Sequence, residues 1–179
     1  PLPLGRIVGY TLGTRNPPTS GRTTMLHSEF KTSETSTTAN AHCDGPCGVY
    51  DPADARIKAE AVLSMTKKLL ALTHPGDSSD QQAMASYYNT MSRFTSIKEE
   101  QAHKCKEELL VLWTDFFKPA HLEANPDLHD VFWKATKLCS ACKQEVSLDH
   151  AQELMTMVQK IHDMFWGAKN REVAWYTAS

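Results

Sequence analysis

From Asp51 onward, apolar residues return every three or four positions in four separate runs, each bounded by proline, glycine or capping residues. A stripe of that period belongs to an α-helix with one buried face, and a chain with four such helices must bring the faces together. Asp51-Pro52 opens the first run as an N-cap acid followed by proline at the first helical position, where its missing N–H costs nothing. Ile57, Ala61, Met65, Leu69 and Leu72 are its expected buried stripe, ended by His74-Pro75-Gly76. A second run starts near Ser78 or Ser79, with Met84, Tyr88, Met91 and Phe94 on an early face and Cys105, Leu109, Leu112 and Phe116 on a later one. It stops at Lys118-Pro119, and its length predicts a bend or break. Asn125-Pro126-Asp127 opens a third run buried through Leu128, Phe132, Ala135, Leu138 and Cys142. Ser147 caps a fourth, with Ala151, Leu154, Val158, Ile161 and Phe165 as its stripe up to Gly167. No strand pattern competes and the connections are short, so the expected fold is all-α, an antiparallel four-helix bundle over about residues 52–168.

Residues 1–41 differ from all of this. Thirteen of them are Ser or Thr, the first acid is Glu29, and Arg6, Arg15 and Arg22 are spaced through the stretch, which cannot build a core. The composition is that of a disordered leader, either an organellar transit peptide or a plain tail. A secretory signal is disfavoured because no apolar core precedes Ala39-Asn40-Ala41. The expected location is the cytoplasm, or a plastid or mitochondrion if the leader is a transit peptide. Net charge is −2; residues 1–41 carry four basic and two acidic side chains, which leaves 15 basic against 19 acidic, or −4, in residues 42–179. An acidic body argues against nucleic acid as a partner, and charges interrupting every apolar stretch argue against a membrane.

Between leader and bundle lies His42-Cys43-Asp44-Gly45-Pro46-Cys47-Gly48-Val49-Tyr50-Asp51-Pro52. It holds two thiols and an imidazole within six residues, around a Gly-Pro pair that permits a tight reversal. Thiolates select soft or borderline metals such as zinc, copper(I), iron or nickel. A local disulfide or two idle thiols is the other reading of the spacing alone.

This run resembles the nickel hook of the nickel superoxide dismutases, whose mature chain begins at the His of H-C-D-x-P-C-G-V-Y-D-P. The resemblance continues through Ala55-Arg56-Ile57, Val111-Leu112-Trp113-Thr114-Asp115-Phe116-Phe117-Lys118-Pro119 and Leu128-His129, covering essentially residues 42–168. It implies that a leader peptidase cuts before His42, leaving a mature domain of residues 42–179 with its hook at 42–50. It further implies one nickel ion per subunit, held by the amine and imidazole of His42, the backbone amide and thiolate of Cys43, and the thiolate of Cys47. Anionic thiolate and amidate donors bring the nickel(II)/nickel(III) couple into a range where superoxide is disproportionated to O₂ and H₂O₂. Tyr50 and Asp44 match positions lining the approach to the metal, with gating or proton delivery as the implied role, against simple packing and turn formation. Pro46 shapes the loop, and the family's assembly implies a homohexamer. A helical module that binds nickel or zinc without turnover is the alternative from another class.

Two positions depart from the family. It has a Glu where this chain has Lys58, supported by an Arg where this chain has Gln101, so the support of the His42 imidazole cannot be carried across. Cys139-Ser140-Ala141-Cys142 has the spacing of a thioredoxin-like pair, but a position late in a helix withholds the positive dipole end that stabilises a thiolate, so core or surface thiols are expected. His27, His74, His103, His121, His129, His150 and His162 are expected in surface or capping roles. Lys118 is a candidate for steering an anion toward an otherwise acidic protein.

Overall fold

A computed structural model of the chain describes residues 47–178. These form four α-helices, α1 (Ala53–Leu70), α2 (Gln81–Val111), α3 (Leu128–Gln144) and α4 (Leu148–Ala168). A π-helical turn (Leu112–Phe116) and a 3₁₀ turn (Pro119–Leu122) connect α2 to α3. α1 and α3 each pack against both α2 and α4, which closes a square bundle of antiparallel neighbours. Among the described residues there is no strand, and no helix is long and apolar enough to cross a membrane.

The expected starts hold in part: α3 begins at Leu128 behind Asp127, which makes no side-chain capping bond, rather than at Asn125-Pro126. Asp51 Oδ1 accepts from the Ala53 amide at 2.8 Å, so the acid caps α1 across the proline. α2 begins later than expected: Asp80, not Ser78 or Ser79, is its cap, accepting from Ala83 N at 2.9 Å, while Asp77 is used in the preceding turn by Ser79. Ser147 caps α4 through His150 N. The stop of α4 comes from Asn170, at φ 52, rather than from Gly167. Its amide donates to Gly167 O at 2.9 Å and that of Arg171 to Trp166 O at 3.0 Å, the paired bonds of a Schellman turn that reverses the chain.

All five expected stripe residues of α3 and all five of α4 are buried, as are Cys105, Leu109 and Leu112 of the second run. The stripe of α1 is not where the larger residues suggested. Ile57 is 49 % exposed, and the buried face is Ala55, Arg56, Ala59, Glu60, Val62 and Thr66. Alanines let the α1 backbone approach its neighbours closely, and that contact outweighs the burial of one isoleucine. The early face of α2 also stays partly open, with Tyr88 50 % exposed. At 1.5 Å per residue α2 is roughly 46 Å long against roughly 26 Å for α3, so its first half has only α1 beside it. The helix runs without a break to Val111, and the irregularity expected of its length is the π turn at its end.

Lys98 is buried with 1 % of its surface exposed, inside the bundle, and its ammonium donates to the carbonyls of Cys142, Lys143 (3.2 Å) and Glu145 (3.1 Å). These are the carbonyls that the end of α3 leaves unsatisfied, so α2 supplies both their donor and the positive charge favoured at a helix C-terminus. Burial pushes the Lys98 ammonium below its usual pKa, opposed by the charges of Glu99 and Cys142. Replacing Lys98 by Met keeps the volume and strands the carbonyls. The expected cost is roughly 2–3 kcal/mol, read from urea unfolding as a lower midpoint at an unchanged slope.

Candidate metal centre

Of the residues read as the hook, the described ones are Cys47, Gly48, Val49 and Tyr50; His42, Cys43, Asp44 and Pro46 lie outside the described residues. Cys47 is exposed, and Gly48 follows at φ 63, a left-handed conformation that a side chain would strain. Val49 is 72 % exposed. Cys47, Gly48 and Val49 are thus all exposed, and burial begins at Tyr50.

Tyr50 is half-buried with its ring 5.7 Å from that of Phe116. Phe116 in turn lies 4.4 Å from Phe165 on α4, 4.9 Å from Phe117, and stacks on His121 at 5.6 Å and 16°. The π turn brings Phe116 to this point, just before Phe117 enters the core. His121 is held by its Nδ1, which accepts from the Lys118 amide at 3.0 Å, the capping role expected for it. A cavity of about 380 Å³ opens here, lined by Gly48, Tyr50, Asp115, Phe116, Lys118, His121 and Lys169. Its charges are the two lysines against Asp115, and Lys169 Nζ sits 5.2 Å from the centre of the Phe116 ring. On the other side of Tyr50, Val49, Asp54, Ile57, Glu108 and Val111 line a second cavity of about 260 Å³.

The two positions that depart from the family pattern both lie among the described residues. Lys58 Nζ donates to Asp54 Oδ1 at 3.1 Å along α1, and Gln101 is half-buried on α2. Sequence reasoning passed over His121 and Lys169 as parts of this site, because nothing in their local spacing separates them from ordinary helix-end residues. The tertiary fold alone joins the end of α4 to the turn after α2.

Among the described residues no cluster of three or more His, Cys, Asp or Glu side chains could hold a metal. The cysteine donors elsewhere are committed to the core. Cys105 Sγ donates to Ala55 O at 3.5 Å, and Cys139 and Cys142 are buried. A hydrogen bond with Cys139, then burial, pushes the Cys105 thiol well up; burial, then the Cys139 charge, pushes Cys142 up to about 11. The C-x-x-C pair is therefore core, as expected. His162, expected near the surface, is buried, with Nε2–H donating to Val173 O at 2.8 Å. At this end of the molecule the exposed thiol among the described residues is that of Cys47. Such a thiol fits a soft or borderline ion.

Comparison with known proteins agrees with this geometry. The family described as nickel-containing superoxide dismutase matches residues 37–169, so the chain belongs to that family. The nickel superoxide dismutase of Streptomyces seoulensis is 40 % identical over 130 residues, 73 % of this chain and 89 % of that protein. Its counterpart from Streptomyces coelicolor is 37 % identical over 132 residues, 74 % and 91 % of the two chains. A crystal structure of Ni-containing superoxide dismutase with nickel ligation corresponding to the oxidised state superposes with a TM-score of 0.61 at 39 % identity, covering 72 % of this chain and 99 % of that one.

Alkylation distinguishes the thiols. In the reduced, metal-free native protein at pH 8, Cys47 is expected to label readily. Cys142, with about one molecule in a thousand ionised at that pH, and the buried Cys105 and Cys139 label only on unfolding. Because the folded thiols hold their protons where unfolded thiols release them, stability is expected to fall as pH rises from about 9 toward 11, measured by urea titration.

Proposed function

We propose that residues 42–179 form a superoxide dismutase whose nickel is held by the His42 amine and imidazole, the Cys43 amide and thiolate, and the Cys47 thiolate. Membership of the nickel-containing superoxide dismutase family carries this reading, and the exposed Cys47 at the foot of a Gly48 turn supports it. Bound there, nickel supplies a one-electron couple, so that two superoxide ions and two protons give O₂ and H₂O₂.

The chain's own residues do the rest. Lys118 and Lys169 offset Asp115 in the cavity under Tyr50, and set a local positive field against a mature charge of −4. A small anion is thereby drawn to the face of the hook that Gly48 and Tyr50 border. The Tyr50 phenol, fixed by its ring on Phe116, is placed to hold water or an anion there and to pass a proton to the peroxide product. For Asp44 the proposed role is the same, gating or proton delivery, with turn formation in the hook as the alternative. Lys58, tied to Asp54, does not replace the carboxylate that the family sets beside the imidazole, so the environment of His42 differs from that of its relatives.

The free amine at His42 requires removal of residues 1–41 by a leader peptidase, so cleavage completes the site. The leader's composition suits a transit peptide, which would send the chain to a plastid or mitochondrion; as a plain prosegment it leaves the protein in the cytoplasm. The exposed part of the α1–α2 hairpin, with Leu70, Tyr88 and Ile97, suits assembly with further copies, a hexamer in the family pattern.

The deciding experiment compares nickel-loaded protein beginning at His42 with the same protein retaining Ala41, and with a zinc-loaded control. Rapid dismutation is expected only from the nickel-loaded, His42-started chain; bound nickel without turnover would instead identify a metal-binding module. In the active protein, Lys118→Gln is expected to lower kcat/KM several-fold at low salt and to flatten its dependence on ionic strength, while nickel content is unchanged.

A further inference from the structure

The family match ends at residue 169, and the chain goes on. After the Schellman turn at Asn170 it runs back without regular structure over residues 171–178, along the first turns of α1 and the last turns of α4. Its attachments reach both of those helices. Arg171 lies over the Trp166 ring at 4.8 Å, Val173 O accepts from His162, and the Trp175 ring meets the His162 ring at 5.4 Å. On α1, the Tyr176 ring covers the Arg56 guanidinium at 4.2 Å, and the Ala178 amide donates to Glu60 Oε1 at 2.7 Å.

Arg56 and Glu60 form an ion pair at 3.2 Å, with only 5 % and 7 % of their surfaces exposed. A buried pair is favourable only when its remaining polar atoms are satisfied. Here the tail supplies a donor to the carboxylate and an aromatic face to the cation. The pair sits in the first two turns of α1, directly after the hook and its Asp51-Pro52 root.

We infer that residues 171–178 are a clamp that positions the nickel hook, by pinning the start of α1 to the end of α4. α4 also carries Phe165 under Phe116, and Phe116 under Tyr50. The clamp therefore ties both supports of the loop, its covalent root on α1 and the aromatic floor beneath Tyr50, into one rigid unit. Donors on a short loop bind a metal tightly when the loop is held near its bound geometry before the ion arrives. The inference rests on the reading of residues 42–47 as the nickel site.

The test uses the His42-started chain in three forms: intact, ending at Asn170, and carrying Tyr176→Ala. Amide exchange in the metal-free proteins is expected to quicken about tenfold over residues 53–60 in both variants, with the interior of α3 unchanged. Nickel affinity is expected to fall several-fold with the same ligand-field spectrum at saturation. Unchanged exchange over residues 53–60 in Tyr176→Ala would overturn the clamp, including where the truncated chain does not fold. Faster exchange with unaltered nickel affinity would overturn its role toward the hook, leaving only a stabilising tail. Absence of dismutation in the intact nickel-loaded chain would instead count against the enzymatic reading, since the exchange measurement involves neither nickel nor turnover.

Discussion

Phe116 touches Tyr50 on one side, Phe165 on the other, and His121 across its face. A loop that carries metal ligands outside a bundle has no core of its own, so its geometry depends on what it rests against. Here Tyr50 packs on the Phe116 ring, set in place by a π turn at the end of the longest described helix. One residue more per turn is enough to swing Phe116 toward the hook while Phe117 continues into the core. The cavity with Lys118, His121 and Lys169 forms around that ring.

The bundle beneath is held by two buried charges used in different ways. Lys98 reaches from α2 into the carbonyls that end α3, where an apolar residue would leave the buried Cys142 carbonyl without this donor. Arg56 and Glu60 pair within α1, and the tail after α4 completes their shell. Both arrangements place ions where burial penalises them, and both join elements far apart in sequence. They favour one relative placement of helices over the many that apolar stripes alone would allow.

Tyr50 stands between two cavities of different charge, one with Lys118 and Lys169 against Asp115, the other with Asp51, Asp54 and Glu108. Screening limits each exposed charge to about 8–10 Å in physiological salt, so an anion on the Phe116 side of Tyr50 meets the two lysines more directly than the acids across the ring. The buried thiols show the same local logic. Cys105, Cys139 and Cys142 share their side-chain chemistry with Cys47, but they are buried, with the Cys105 and Cys142 thiols pushed up, which leaves Cys47 as the accessible one among the described residues.

The sequence by itself determined the four helices, the capping residues Asp51 and Ser147, and the buried faces of α3 and α4. Each of these is written in neighbouring residues: periodic apolar positions, Asp51-Pro52 and Ser147. It misplaced the buried face of α1, because a stripe of large residues and a stripe of alanines have the same period, and only the closeness of α2 and α4 decides between them. Tertiary structure alone decided that Lys98 caps another helix, that His162 lies inside, that Lys169 and His121 join Tyr50, and that the tail returns to Arg56 and Glu60. Those contacts span from 11 to more than a hundred residues, and their energies depend on burial, which no local pattern records.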